Sequence, residues 1–329
     1  MSLFDGLRTI NISEIEGIKI GNAQDFDGGT GCTVIIAPDG AVTGVDVRGG
    51  GPATRETDRL SPLCKLDYNH AVVISGGSAY GLDASSGVME FLEEKGIGYK
   101  TKYDLVPLVA GASIYDLGVS SSKCRPDKKM GYEACENAFK EEELREGNYG
   151  VGTGATVGKF LGKERMMKSG MGTFAVEYDG LKIGALAVVN AIGDVYSMEN
   201  GEFLAGLMNE ENTEIIGTES IILGKLNVEN DFYNENTTIG CIITNGVLTN
   251  AQATKISGMA QDGLARVIWP VHTSADGDSI FTLATGEVKA DTDIIGSIAS
   301  ELMTVAINKA VKGADPAYGL KSAKDFGDK

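Results

Sequence analysis

Histidine is nearly absent: the 329 residues hold two, His70 and His272. That shortage leaves no His-built zinc centre and makes a serine–histidine triad hard to assemble. The five cysteines, Cys32, Cys64, Cys124, Cys135 and Cys241, are odd in number and form no CxxC pair. Such a set fits neither a disulfide framework nor a thiolate metal site, so a reducing compartment, the cytoplasm, is expected. Positive charge is also short, with Lys+Arg 29 against Asp+Glu 46 and a net charge of −17. A surface this acidic repels phosphate backbones and anionic lipid, so neither nucleic acid nor membrane is expected as a partner. No run reaches ~18 uncharged apolar residues, the length of a membrane span. The opening MSLFDGLRTI has no basic stretch leading into an apolar one, so no leader is expected. Proline, at seven, is too rare for a linker-rich chain, and no segment repeats.

What is plentiful is glycine, 45 residues, within a chain that is 42% hydrophobic and 23% charged. This composition folds, and the glycines read as tight turns and close backbone approaches. Strands are expected over 33–37 and 41–47, joined by a Pro38-Asp39-Gly40 turn, then over 71–74, 172–178, 183–191, 238–245 and 280–284. Helices are expected up to about Lys95, over 133–146 as a solvated charged face, and over 250–268. A last helix is capped by Asp293, with Ile294, Ile298, Leu302, Val305 and Ala306 as its apolar stripe. The acidic stretch ending in VENDFYNEN reads as an exposed loop. Together these give one α/β unit spanning residues 1–329.

Three glycine motifs invite chemistry. Gly150-Val151-Gly152-Thr153-Gly154-Ala155, with Glu177 further on, fits a dinucleotide fingerprint and would make the chain a nucleotide-dependent oxidoreductase. It follows a charged helix rather than a strand, which is the wrong context. Gly154 to Lys159 is one residue short of a P-loop, and Phe160 stands where the magnesium-binding hydroxyl belongs. Gly76-Gly77-Ser78-Ala79-Tyr80 misses a nucleophile elbow at its last glycine, and a turn into a helix is the plainer reading.

One catalytic arrangement needs no histidine. A Thr, Ser or Cys at a chain terminus can use its own α-amine as general base. A chain makes such a terminus when a hydroxyl attacks the preceding carbonyl and water cleaves the resulting ester. Asn236-Thr237, between the acidic loop and a buried strand, has the residue types for this, although Asn-Thr pairs at strand starts are common.

Six stretches narrow the choice: VRGGGPATRETD (47–58), SGGSAYGLDASSGVMEFLEEKGIG (75–98), VGTGATVGK (151–159), ALAVVNAIGDV (185–195), NTTIGCIITN (236–245) and AQDGLARVIWPVHTSADGD (260–278). In these the chain resembles the DmpA-type family of self-processing aminopeptidases and amidases, peptidase family S58, on the threonine branch that holds the nylon-oligomer (6-aminohexanoate) hydrolases.

The resemblance implies a four-layer αββα sandwich like that of N-terminal-nucleophile hydrolases, with its own connectivity. It implies a cut between Asn236 and Thr237 into an α chain, 1–236, and a β chain, 237–329, with Thr237 as nucleophile. It places Lys159 beside the new amine, against the reading of a surface charge after a turn. It places the Asn190 side-chain NH2 on the oxyanion, and Asp276 and Asp278 as an acidic pair orienting the hydroxyl, against a bland Asp-Gly-Asp turn. Tyr115 falls at the substrate pocket, where packing alone is the rival account. No cofactor and no metal are implied. The expected substrate is a small peptide or amide, and the expected assembly a homo-tetramer or larger of processed pairs. A non-catalytic binding protein on the same scaffold, uncut, is the remaining alternative.

Overall fold

β-branched runs supply the strands of one large sheet. The computed structural model describes residues 6–140, 142–225 and 236–327. The expectation for the acidic loop, apart from Asn236, lies mostly on residues outside that set. The ten strands of the sheet are β1 (Arg8–Ile10), β2 (Lys19–Asp25), β3 (Thr30–Val47), β4 (Thr54–Arg55), β5 (Tyr68–Ser75), β6 (Val109–Ser113), β7 (Met171–Tyr178), β8 (Leu181–Asn190), β9 (Thr237–Gly246) and β10 (Ser279–Val288). Their order is β1-β7-β8-β9-β10-β3-β5-β6-β4, with β2 also on β3. Among the described residues four helices are long: α1 (Ala84–Glu94), α2 (Lys128–Phe139), α3 (Asn250–Val267) and α4 (Thr292–Gly313).

Strand β3 folds this sheet into two leaves. Its first part pairs with β2 and β5, and its last six residues, Val42–Val47, pair with β10. The Pro38-Asp39-Gly40 turn predicted from sequence is therefore not a hairpin. It is an irregularity inside one 18-residue strand, where the β5 register shifts between Ile36 and Ala41.

Among the described residues three buried cores separate four layers. Ile183, Ala185, Ala187 and Ile242 face α3 and α4, where Ile256, Leu264, Leu302 and Ala306 meet them. The alternate residues of the same strands, Leu186, Val188, Ile239, Cys241 and Ile243, face Ile35, Val72 and Ile74 of the other leaf. Val34, Ile36 and Val73 turn the opposite way, onto Val88, Phe91 and Ala138 of α1 and α2. A strand buried on both faces reads as a continuous apolar run, as β8 and β9 do. This is the αββα sandwich.

Helix boundaries moved where caps overrule composition. α2 starts at Lys128 because the Asp127 side chain accepts from Met130 N. It ends at Phe139, short of the predicted 146, and it buries Ala134, Cys135 and Ala138, so it is not a purely solvated face. α4 is capped by Asp291, not Asp293, and Ile294 is 57% exposed while Ile295 is buried. α4 is long and apolar enough to cross a membrane, but most of it is buried between sheet and α3, as for a core helix.

Candidate active site

β9 begins in the middle of the sheet, between β8 and β10, and its first residue is Thr237. Antiparallel register sets Asn190, the last residue of β8, opposite Thr237. On the other side Asn236 forms a parallel bridge with Asp276. The Thr237 hydroxyl donates to the carbonyl oxygen of Asn236 in a very short contact. Gly277 N donates to the same oxygen at 2.9 Å. Both residues are buried, Thr237 at 4% exposure and Asn236 at 2%. Among the described residues neither the Nδ2 nor the Oδ1 of Asn236 has a hydrogen-bond partner. Leaving such atoms buried and unpaired costs ~1–3 kcal/mol each.

Lys159 follows the glycine-dense stretch and is also buried, at 9% exposure, so it is not a surface charge. Its Nζ donates to Asn190 Oδ1 at 2.7 Å and to Asn190 O at 2.9 Å. Thr156 N donates to the same Oδ1 at 3.1 Å. With Oδ1 turned to these donors, Asn190 Nδ2 donates to Tyr115 O at 3.0 Å. The Asn190 amide is thus held from both ends.

The two acidic residues differ. Asp276 Oδ2 accepts from Thr273 Oγ1 at 2.6 Å and Thr273 N at 2.9 Å. Burial first, and then the charge of Asp278, push the Asp276 carboxyl up to about 6, with the Thr273 hydrogen bonds and then Lys159 pulling it back. Asp278 Oδ1 accepts from Thr238 N at 2.7 Å, which fixes the start of β9. Its Oδ2 faces His272 Nδ1 at 2.8 Å and accepts from His272 N at 3.2 Å.

Beside this cluster lies a pocket with about 530 Å³ of empty volume, lined in part by Tyr115, Asp116, Thr156, Lys159, Met166 and Asn236. Asp116 is fixed by Thr30 Oγ1 at 2.6 Å and Gly77 N at 2.7 Å, and burial pushes its carboxyl up to about 6. The structure therefore gathers Asn236, Thr237, Asn190, Lys159, Asp276, Asp278 and Tyr115 in one region, from segments spread over the whole chain.

The sequence profile of peptidase family S58 matches residues 11–323. The chain belongs to peptidase family S58. An uncharacterized aminopeptidase of Mycobacterium leprae is 36% identical over 341 residues, covering 94% of this chain and 92% of the relative. A 6-aminohexanoate-oligomer endohydrolase of Kocuria sp. is 30% identical over 315 residues, covering 91% and 85%. Two solved structures share the fold. A β-aminopeptidase of Burkholderia sp. superposes with a TM-score of 0.70 at 17% identity, over 96% of this chain and 91% of that one. The L-aminopeptidase D-Ala-esterase/amidase of Ochrobactrum anthropi, described as a variant of the Ntn-hydrolase fold, gives 0.69 at 18% identity, over 94% and 89%. As a member of family S58 the protein is an amide hydrolase.

Family S58 membership leaves the oxidoreductase alternative without support, and the structure gives the reason. Residues 150–155 are buried under β2 and β3, and a Cβ on Gly150 would stand 2.3 Å from Asn22 Oδ1. Those glycines make room for protein, not for a pyrophosphate. Glu177, the acidic residue that completes the fingerprint, pairs with Arg8 at the sheet edge. Sequence reasoning missed Asp116, Thr156, Thr273, His272 and Gly277 at the site. In the sequence His272 reads only as a general base, whereas here it braces Asp278.

Proposed function

We propose that this protein is a self-processing amide hydrolase, which cuts its own chain between Asn236 and Thr237 and then uses Thr237 as nucleophile. The observation that carries the reading is the Thr237 hydroxyl lying on the Asn236 carbonyl inside a buried, charged site. Oγ adds to the Asn236 carbonyl carbon and loses its proton, and the C–N bond breaks as the nitrogen gains one. An ester and a free α-amine result. Water then hydrolyses the ester, releasing the Asn236 carboxylate. The Asp276–Asp278 pair supplies the base in the uncut chain, since a carboxyl raised to about 6 can take and return a proton near neutrality. Release of the Asn236 end also lets its two unpaired amide atoms reach water.

After the cut the Thr237 amine, with a reference pKa of about 7.7–8.0, becomes the base for substrate hydrolysis. The Lys159 ammonium, held on Asn190 opposite Thr237, disfavours protonation of that amine. The acyl-enzyme forms on the same oxygen and is hydrolysed by water. Relatives named for aminopeptidase and 6-aminohexanoate-oligomer activity support peptides with free amines or short ω-amino-acid oligomers as the substrate class. The processed pairs are taken to assemble as tetramers or larger.

Intact mass and N-terminal sequencing of purified enzyme test the reading, followed by aminoacyl p-nitroanilides and 6-aminohexanoate oligomers as substrates. A 93-residue chain (329 − 236) beginning Thr237-Thr238-Ile239 is expected. Active enzyme lacking that chain overturns it.

A further inference from the structure

The Asp276-Gly277-Asp278 turn is gripped from outside by the glycine strip that opens the first matching motif. Arg48 N and Gly49 N donate to Asp278 O at 2.9 and 3.1 Å, and Gly51 N donates to Asp276 O at 2.8 Å. Gly50 N reaches Thr273 O at 3.2 Å. The approach is too close for side chains. A Cβ on Gly49 would stand 2.2 Å from Asp276 O and 2.4 Å from Asp278 N, and one on Gly50 would stand 2.7 Å from Ser274 Cα. Ser279 Oγ holds the carbonyl of Gly277 itself at 3.0 Å. The Gly277 peptide is thus fixed on both sides, and its N–H is left aimed at Asn236 O, 2.9 Å away. A Cβ on Gly277 would lie 2.8 Å from Thr237 Oγ1, so glycine there also clears the space the hydroxyl occupies.

We propose that the backbone N–H of Gly277 is the oxyanion donor for self-cleavage, held in place by the Arg48–Gly51 strip. The inference rests on the function proposed above. When Thr237 Oγ adds to the Asn236 carbonyl carbon, the C=O π electrons move onto Asn236 O. The Thr237 hydroxyl, which donates to that oxygen in the resting chain, gives up its proton as it attacks and can no longer donate. Asn190 Nδ2 is engaged with Tyr115 O. The Gly277 N–H keeps its place throughout. It needs no reorganisation at the moment charge develops, which is what makes a fixed donor effective. Arg48, Gly49 and Gly51 touch no reacting atom and act as positioning residues.

The test is a full-length chain carrying Gly277→glycolic acid, which replaces the N–H by an ester oxygen and adds no side chain. Folding is read by near-UV circular dichroism, and cleavage is followed by denaturing gel and intact mass. Loss of a single oxyanion donor costs ~10²–10³ in rate, so cleavage slowed by at least ~100-fold in a folded chain is expected. A folded variant that cuts within about three-fold of wild type overturns the proposal. If the ester chain does not fold, Gly49→Ala is read in the same assay: its Cβ displaces the 276–278 turn, carboxylates and N–H together, and the pH dependence of cleavage separates the two effects. Slow cleavage that recovers as pH rises merely through the Asp276 range counts against the proposal, because an oxyanion donor does not titrate there. If wild type itself is uncut at 236/237, the function proposed above fails. If wild type is cut and the ester variant is cut equally fast, only the Gly277 role fails.

Discussion

Asn190 faces Thr237 across the last register pair of the β8–β9 ladder, and the Lys159 ammonium is bonded to that same asparagine. The cation is therefore aimed by strand pairing and not by the loop that carries it.

Thr237→Ala should give one uncut, folded, inactive chain, because a single oxygen performs both reactions in the proposed scheme. Thr237→Ser should cut and retain some turnover, since the hydroxyl survives while the methyl that restricts its rotamers is lost. Gel and mass analysis read the first effect and amidase assays the second. Amidase activity in Thr237→Ala would sink the assignment.

Lys159→Met keeps the buried stem but removes the charge. Without the cation the Thr237 amine holds its proton to higher pH, so kcat/KM should fall ~10–10²-fold at neutrality and its pH profile should shift in the alkaline direction. A profile that overlays wild type would rule out the role.

The Asp276 carboxyl is pushed up from 3.8 to about 6, first by burial and then by the charge of Asp278. Self-cleavage should therefore rise with pH through about 6, and Asp276→Asn should lose that limb. The same shift has a stability sign. Between 3.8 and about 6 the folded chain holds a proton that the unfolded chain has released, so this group's contribution falls as pH rises across that window. Cleavage rates of freshly refolded precursor from pH 4.5 to 8 provide the check.

Lys168 is fully buried, with Nζ donating to Gly152 O at 2.9 Å, Ala155 O at 3.1 Å and the carbonyl of Ser169. It ties down the segment that leads to Lys159. Burial pushes its ammonium down from 10.5 to about 7, against the pull of Asp116 and Asp315. The unfolded chain then binds more protons between those values, so Lys168 adds stability as pH rises from about 7 to 10.5. The difference in unfolding free energy between wild type and Lys168→Met should grow over that range. A constant difference would show that the ammonium stays charged when folded.

Chelators should leave both reactions intact, because carboxylates and an amine do all the proton transfer in the proposed scheme. Activity lost to EDTA and restored by zinc would require a different mechanism.

Much of the fold was legible because β8 and β9 are apolar on both faces, which is readable without knowing their partners. α3 was legible from its 3.6-residue stripe. The start of α2 was hidden by Lys128 and Lys129, whose charges say nothing of the Asp127 cap just before them. β3 was split in two because Pro38-Asp39-Gly40 is turn chemistry, and only pairing with β5 and β10 shows that the strand continues through it. The site residues were placed by motif resemblance and not by spacing. His272 and Gly277 escaped because bracing a carboxylate and donating a backbone N–H leave little trace in residue type. The grip of Arg48–Gly51 on residues 276–278 is backbone to backbone across most of the chain, and only the glycines hint at it.

β9 sits between an antiparallel and a parallel neighbour, and its parallel partner β10 arrives only after the α3 crossover. Asn236 and Thr237 are brought to Asn190 and Gly277 only when those long-range pairings are complete, so self-cleavage would certify that the chain has folded. The event would also be a ratchet. Before the cut, unfolding and refolding are unimolecular. Afterwards the central strand would belong to a separate polypeptide, refolding would need two chains to meet, and recovery from heat would become concentration-dependent. The mature enzyme would then persist through the height of its unfolding barrier, and no longer through a reversible balance with its unfolded state.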